Sequence, residues 1–296
     1  MADPKSKDNK SIGYHQGDVN TVISVDDVNR QAQELGSGVS LDQIAGMIKG
    51  EPFLKIENLR AGYGKMEILH EFSLQISKGE SLCLIGPNGA GKSTVLHSIF
   101  GFTKIFSGGI SIQNDSGIQN ITELTPNQKL KEAGIAYILQ DNSVFPGMTV
   151  EENLWMGGYL KEKPEEAKEA AEEIFDKYDR LANRRDQPAR ILSGGERRLL
   201  EISRALVMKP QVLLVDEPSI GLEPRFIEMV FEILHELQHV EGKTIIMVEQ
   251  NAKKGLEFAD IGYVLVAGEL ALAGKGDELL ENPEVDRKST RLNSSH

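Results

Sequence analysis

Cysteine is nearly missing from this chain of 296 residues: Cys83 is the only one, inside the apolar stretch Ser81-Leu-Cys-Leu-Ile85. A lone buried thiol can form no internal disulfide, which suits a reducing compartment. Long apolar runs are missing too; none approaches the roughly 20 residues needed to span a bilayer. Any work at a membrane would then pass through partners. Positive charge is short, with a formal net charge of -12. That balance argues against nucleic acid as a partner, because nucleic-acid binders present a basic face. The one basic cluster, Arg184, Arg185, Arg190, Arg197 and Arg198, reads as a solvated face. The six histidines are scattered and read as lacking metal-site spacing. The opening MADPKSKDNK leads into no apolar stretch, so no signal peptide is visible. What is present is an ordinary globular composition, long enough for one large domain or two small ones.

The two ends differ from the middle. DRKSTRLNSSH, residues 286–296, matches in order the translation of a common sequencing-library adapter. It is set aside from fold reasoning, and the natural chain is expected to be cut near Val285. At the other end, Ser40-Leu-Asp-Gln43 is a capping-box pattern, with Leu41, Ile44, Ala45 and Ile48 at helical spacing. A second short helix is expected over 26–35, stopped by Gly36-Ser-Gly38. Neither is long enough to bury much alone. Residues 1–50 are thus an extension, either a docking arm or untranslated sequence before a start at Met47.

From Phe53 the pattern becomes regular. Phe53-Leu-Lys-Ile56 and Phe72-Ser-Leu-Gln-Ile76 alternate like strands. Glu80-Ser-Leu-Cys-Leu-Ile85 is a continuous apolar strand running into Gly86-Pro-Asn-Gly-Ala-Gly-Lys92-Ser93. That is G-x-x-x-x-G-K-[ST], and Val95, Leu96, Ile99 and Phe100 continue it as a helix, the strand–loop–helix context the motif requires. Its glycines let backbone N–H groups turn toward a β-phosphate, and the helix amino terminus adds partial positive charge. Lys92 can reach the β- and γ-phosphates, and the Ser93 hydroxyl can hold Mg²⁺. Gly86, Asn88, Gly89, Gly91, Lys92, Ser93 and Thr94 are therefore candidate ATP-binding residues. A second apolar run, Gln211-Val-Leu-Leu-Val215, ends in Asp216-Glu217. Asp216 suits a magnesium role through water, and Glu217 suits polarising the attacking water. Leu192-Ser-Gly-Gly-Glu196 opens a helix with a capping box, and a capped amino terminus with two glycines is also an anion site.

GPNGAGKS, LSGGE and VLLVDEPSIGLEP in this order resemble the ATP-binding subunits of ABC transporters, over residues 53–285. The resemblance implies an α/β fold, a P-loop NTPase of the ABC ATPase type. It would carry an amino-terminal antiparallel β part and an inserted helical subdomain at about 141–204, in a domain spanning 51–285. It implies two ATPase domains paired head to tail. Ser193, Gly194 and Gly195, with Glu196, would contact nucleotide held by the partner domain. Tyr63 matches the aromatic that stacks on adenine, Gln140 the glutamine that touches magnesium, and residues 219–223 the loop crossing between domains. Phe145 and Met148 are candidates for a groove receiving a permease helix, or for plain core packing. Gln250, after strand-end Glu249, matches the family's switch position, usually a histidine. Glutamine keeps a donor but cannot exchange protons near neutral pH. If histidine serves as an acid or base there, this chain is inactive; if it serves only as a donor, Gln250 can replace it. Intact Glu217 favours an active ATPase, with Glu217 and Gln250 as the catalytic pair.

Met247-Val-Glu-Gln-Asn-Ala252, with the 144–154 segment, resembles one branch of the family: the shorter ATPase of branched-chain amino acid importers, with urea importers similar. That implies membrane permease subunits, a sister ATPase or self-pairing, an extracytoplasmic binding protein, and a place on the cytoplasmic face of the membrane. The rival class, soluble ABC ATPases of repair or translation, carries long coiled coils or two cassettes. Only one cassette is visible here.

Overall fold

The computed structural model describes residues 39, 41–140 and 143–282. The helix expected over 26–35, Ser40 of the capping box and the 286–296 tail lie outside the described residues. Along the chain the elements are α1 (Leu41–Ala45), β1 (Pro52–Tyr63), β2 (Met66–Ser77), β3 (Ser81–Ile85), α2 (Lys92–Phe100), β4 (Lys104–Asn114) and β5 (Gly117–Asn120). Then come α3 (Pro126–Lys131), β6 (Ile135–Ile138), α4 (Val150–Gly157), α5 (Pro164–Lys177), α6 (Asp179–Ala182) and α7 (Gly194–Leu206). The chain continues with β7 (Val212–Asp216), α8 (Pro224–His239), β8 (Thr244–Val248), α9 (Ala252–Phe258), β9 (Ile261–Val266), β10 (Glu269–Lys275) and α10 (Gly276–Leu280).

Two sheets organise these elements. One is antiparallel, in the order β2-β1-β4-β5. The other runs β10-β9-β3-β8-β7-β6, parallel except for the β10 edge. This is the expected α/β plan with an antiparallel part toward the amino terminus. The helices α4 to α7 fall between β6 and β7. Their boundaries follow local chemistry: Thr149 and Glu152 close a full capping box on α4, and Pro164 opens α5.

The central strands β3, β7 and β8 are buried throughout and mostly apolar because both faces are covered. Cys83, Ile85, Leu213, Val215, Ile245 and Met247 enter the core shared with the helices α4 to α8. Their neighbours Leu82, Leu84, Val212, Leu214, Ile246 and Val248 enter the core shared with the antiparallel sheet and α2. Alternation is therefore real, but it separates two interiors rather than interior from solvent. The same holds in β2, where Ser73 and Gln75 are buried between apolar neighbours. Ser73 Oγ accepts a hydrogen bond from the Asn58 backbone at 3.0 Å.

The body extends before residue 51. Ile44 is 1% exposed and joins the second core. The Lys49 backbone donates to Glu80 at 2.8 Å, and its ammonium pairs with Asp260 at the start of β9. Burial raises the Asp260 pKa, but the Lys49 ammonium and the Ser81 N–H and hydroxyl outweigh it and hold the carboxyl below its usual range.

Candidate nucleotide-binding and hydrolysis site

The parallel strands β3, β6, β7 and β8 end on one edge of the sheet, where an open α/β fold gathers ligand-binding residues. From β3 the chain enters the loop through Gly86, whose φ of 144° no other residue favours. A Cβ there would lie 2.2 Å from the Leu265 carbonyl oxygen, so β9 packs directly on the loop. Gly91, with φ 96°, is the N-cap of α2, and no side chain caps that terminus. Its first N–H groups are thus available to an anion. A second strap crosses the loop: the Gly268 N–H donates to Ala90 O at 3.0 Å, and Gly268 O accepts from the His70 N–H at 3.1 Å.

Lys92 is buried, and its ammonium donates to the carbonyls of Gly86 at 2.9 Å and Pro87 at 3.0 Å. Burial lowers its pKa, opposed by the nearby Glu217 and Asp216 carboxylates. Ser93 Oγ donates to Asp216 Oδ1 at 3.1 Å, and the Tyr137 hydroxyl donates to Asp216 Oδ2 at 2.8 Å. Gln140 Nε2 donates to Glu217 Oε2 at 3.1 Å. Gln250 Nε2 reaches Asn88 Oδ1 at 3.4 Å, and both residues are exposed. Thr94 is buried one residue further into α2. The loop, both acidic residues of the β7 end, Gln140 and Gln250 therefore meet in one place.

The donor set fits magnesium. Ser93, Asp216 and Gln140 offer a hydroxyl, a carboxylate and an amide oxygen, the hard oxygen ligands Mg²⁺ takes alongside water and phosphate. Tyr63 stands at the tip of the β1–β2 hairpin, 43% exposed, with its hydroxyl on His97 Nδ1 and its ring edge-on to that imidazole. His97 lies on α2, so the exposed tyrosine is fixed to the helix that leads out of the phosphate loop.

The signature residues are elsewhere on the chain. Ser193 and Glu196 form a complete capping box on α7. Burial raises the Glu196 pKa, but the Ser193 backbone and hydroxyl and Arg184 outweigh it and bring it below its usual range. Ser193 and Gly194 are exposed, whereas Gly195 is buried. A Cβ on Gly195 would sit 2.2 Å from Phe226 Cδ1, so this glycine is required by its own chain's packing as well as by any ligand. Among the described residues no hydrogen bond joins 193–196 to 86–94.

Several side chains at the site were not singled out from sequence. Tyr137 is one: it occupies a strand position that alternation assigns to packing. Glu249 is another: buried, it accepts from Ser219 Oγ at 2.8 Å and so ties the 219–223 loop to the residue before Gln250. Two expectations need correction. Arg198 is not part of a solvated face; it is 4% exposed, while Arg185 pairs with Glu151 and Glu172 on the surface. The histidines do include a metal-like spacing, His235-Glu-Leu-Gln-His239 on α8. Those two imidazoles stack with centroids 3.9 Å apart. Among the described residues no three His, Cys, Asp or Glu side chains converge as a metal site.

Beside Gln140 an apolar groove is lined by Leu139, Phe145, Met156, Tyr159, Arg204 and Met208. Phe145 lies over the Arg204 guanidinium, 4.9 Å from ring centroid to carbon. Met148 is not in that lining; its carbonyl accepts the Ala189 N–H at 2.8 Å. No helix among the described residues is long and apolar enough to cross a membrane.

Comparison with known proteins fits this geometry. Residues 69–220 match the ABC transporter family. The chain is 39% identical over 232 residues to the high-affinity branched-chain amino acid transport ATP-binding protein BraG of Pseudomonas aeruginosa, covering 78% of this chain and 97% of that one. It is 39% identical over 234 residues to the probable branched-chain amino acid transport ATP-binding protein LivF of Archaeoglobus fulgidus, covering 79% and 97%. Among solved structures it resembles the ADP conformation of the ABC transporter cassette MJ1267, with TM-score 0.70, 30% identity and coverage of 80% and 98%. It also resembles the dimeric, post-hydrolysis cassette MJ0796 bound to ADP and phosphate, with TM-score 0.64, 25% identity and coverage of 77% and 99%. The sheet order, the phosphate loop and the acidic strand end thus have one common explanation: the chain belongs to the ABC transporter family, as an ATP-hydrolysing transporter subunit.

Proposed function

We propose that this subunit powers a membrane importer for branched-chain amino acids, from the cytoplasmic face of the membrane. The observation that carries the hydrolytic part is the convergence of Ser93, Asp216, Gln140, Glu217 and Gln250 around the phosphate loop. The solute follows from BraG and LivF, each matched over 97% of its length. The cassette is assigned to residues 51–285, with its helical part at about 141–204 and residues 41–50 packed onto it.

Each residue then has a definite task. On nucleotide entry Lys92 exchanges the Gly86 and Pro87 carbonyls for phosphate oxygens, and the free N–H groups of the loop and the α2 terminus close around them. Tyr63 stacks on the adenine. Ser93, Asp216 and Gln140 would hold Mg²⁺, which neutralises phosphate charge when bound. Glu217 polarises the attacking water, and Gln250 donates a hydrogen bond to the γ-phosphate. Ser193, Gly194, Gly195 and Glu196 serve the nucleotide of a second cassette, a sister ATPase or another copy, in a head-to-tail dimer. ATP binding closes that dimer, and hydrolysis reopens it. The Phe145 groove receives a helix of the permease, and an extracytoplasmic binding protein delivers the solute.

Proteoliposomes containing this chain, its permeases, its binding protein and any sister ATPase test the proposal. Leucine uptake that requires internal Mg-ATP is expected. ATP-driven uptake of urea without leucine would overturn the solute, and ATP turnover without any uptake would overturn the transport role.

A further inference from the structure

Arg198 is a buried cation on the second turn of α7, and none of its side-chain hydrogen bonds goes to the side chain of a nucleotide-binding residue. Its guanidinium spans three segments of chain. Nη1 donates to the Leu139 carbonyl at 2.9 Å and to Glu201 Oε2 at 2.8 Å. Nη2 donates to the carbonyls of Asp216 at 3.2 Å and Glu217 at 3.3 Å.

Those carbonyls are informative. Leu139 immediately precedes Gln140, and Asp216 and Glu217 end β7. Gln140 and Glu217 are hydrogen-bonded to each other through their side chains. One guanidinium therefore holds the backbone on both sides of that pair. Glu217 also has φ 44°, a left-handed conformation that a glutamate keeps only when its surroundings fix it. Its N–H donates to Val248 O at 2.9 Å, and its C=O accepts from the Ile220 N–H at 3.2 Å and from Arg198 at 3.3 Å. Both polar groups of this unusual peptide are thereby pinned.

A lysine could not do the same. A planar fork satisfies several carbonyls at once, whereas an ammonium is a point charge on a flexible stem. Stability alone does not call for the ion pair either, because apolar residues of similar volume often replace a buried pair without loss. We propose that Arg198 is a positioning residue for ATP hydrolysis: it sets the backbone of Gln140 and Glu217 and so aims the Glu217 carboxylate at the attacking water. This rests on the reading of Glu217 as the polarising group.

The test uses the full-length chain with kcat, KM for ATP, binding of a fluorescent ATP analogue and thermal unfolding measured together. The Arg198→Leu/Glu201→Leu double variant removes the charge pair without leaving a lone buried ion. It leaves the three carbonyls without their donor, so its Tm is expected to fall somewhat, but nucleotide affinity is expected to stay within about twofold while kcat falls about tenfold or more, as small misplacements of a reacting group do. Arg198→Lys is expected to lose kcat as well, because the charge stays but the fork is gone. Glu201→Gln keeps the three carbonyl bonds and is expected to turn over within about twofold of wild type. Wild-type kcat in the double variant would overturn the proposal. Should that variant not fold, equal kcat losses in Arg198→Lys and Glu201→Gln would overturn it, because the ion pair alone would then matter. Glu217→Gln is run alongside. If it hydrolyses ATP at the wild-type rate, the reading of Glu217 fails and the aim assigned to Arg198 fails with it. If it is inactive while the double variant is fully active, only the Arg198 assignment fails.

Discussion

Gln250→Ala separates the two accounts of the switch position. The side chain is exposed, and among the described residues its one side-chain hydrogen bond, to Asn88, is 3.4 Å long. Removing it should cost folding stability little, within about 0.5 kcal/mol, as at other surface sites. Turnover is different, because the amide would then be missing opposite a charged γ-phosphate. A hydrogen bond to a charged group contributes about 1.5–3 kcal/mol. At about 1.4 kcal/mol per tenfold, kcat should drop by roughly 10- to 150-fold. Glu217→Gln removes the group that polarises water and should drop kcat by about 10²–10⁴-fold. A single-turnover assay with saturating Mg-ATP, beside a thermal melt, reads both numbers. Because glutamine binds no proton near neutrality, position 250 should add no inflection to the pH profile of kcat, and Gln250→His should add one. Two results would refute the reasoning: a Gln250→Ala chain whose kcat falls by more than about 10³-fold, well beyond the worth of one hydrogen bond to a charged group, or one with unchanged turnover.

Gly195→Ala should destabilise the chain by about 1–3 kcal/mol, the usual cost of overpacking, since its Cβ would lie 2.2 Å from the Phe226 ring; in a Glu217→Gln background, light scattering should also show weaker ATP-dependent association. Ile44→Ala should cost about 2–5 kcal/mol in a urea melt, and an unchanged midpoint would deny residues 41–50 a part in the core. Asp260 has a pKa held below its ordinary 3.8, so its contribution is present above about pH 4 and is lost as pH falls through the lower folded value. Acid unfolding of Asp260→Asn should lack that component, and identical acid profiles would count against the Lys49–Asp260 pair.

What could be read in the chain was local. A phosphate loop, a capped signature helix and an acidic strand end are each defined by residues a few positions apart, and each stands where its spacing places it. What could not be read depends on distance. Arg198 is 59 residues from Leu139 and 18 from Asp216, and apart from Glu201 one turn on its partners are carbonyls, which leave no trace in residue identity. It was therefore grouped with its basic neighbours. Tyr137 was hidden because a strand tyrosine on a buried face reads as packing until Asp216 is seen beside it. The His235–His239 spacing is present in the sequence, but on α8 the two imidazoles stack on each other and meet no third ligand among the described residues. Gly195 was legible as a glycine with a purpose, but the purpose had two parts, and only the phosphate-facing one has a motif.

The sheet with a core on each side acts as a party wall. Its middle strands give alternate residues to two separate interiors, so neither interior can loosen without moving the wall. The loop, Gln140, Glu217 and Gln250 stand on the wall's upper rim. A packing defect far from nucleotide, on either side, should therefore reach the rim as a change in level rather than as a local wobble. Cavity-forming substitutions at Leu84, in one interior, and at Val215, in the other, are then equivalent in one respect: both tilt the same ledge.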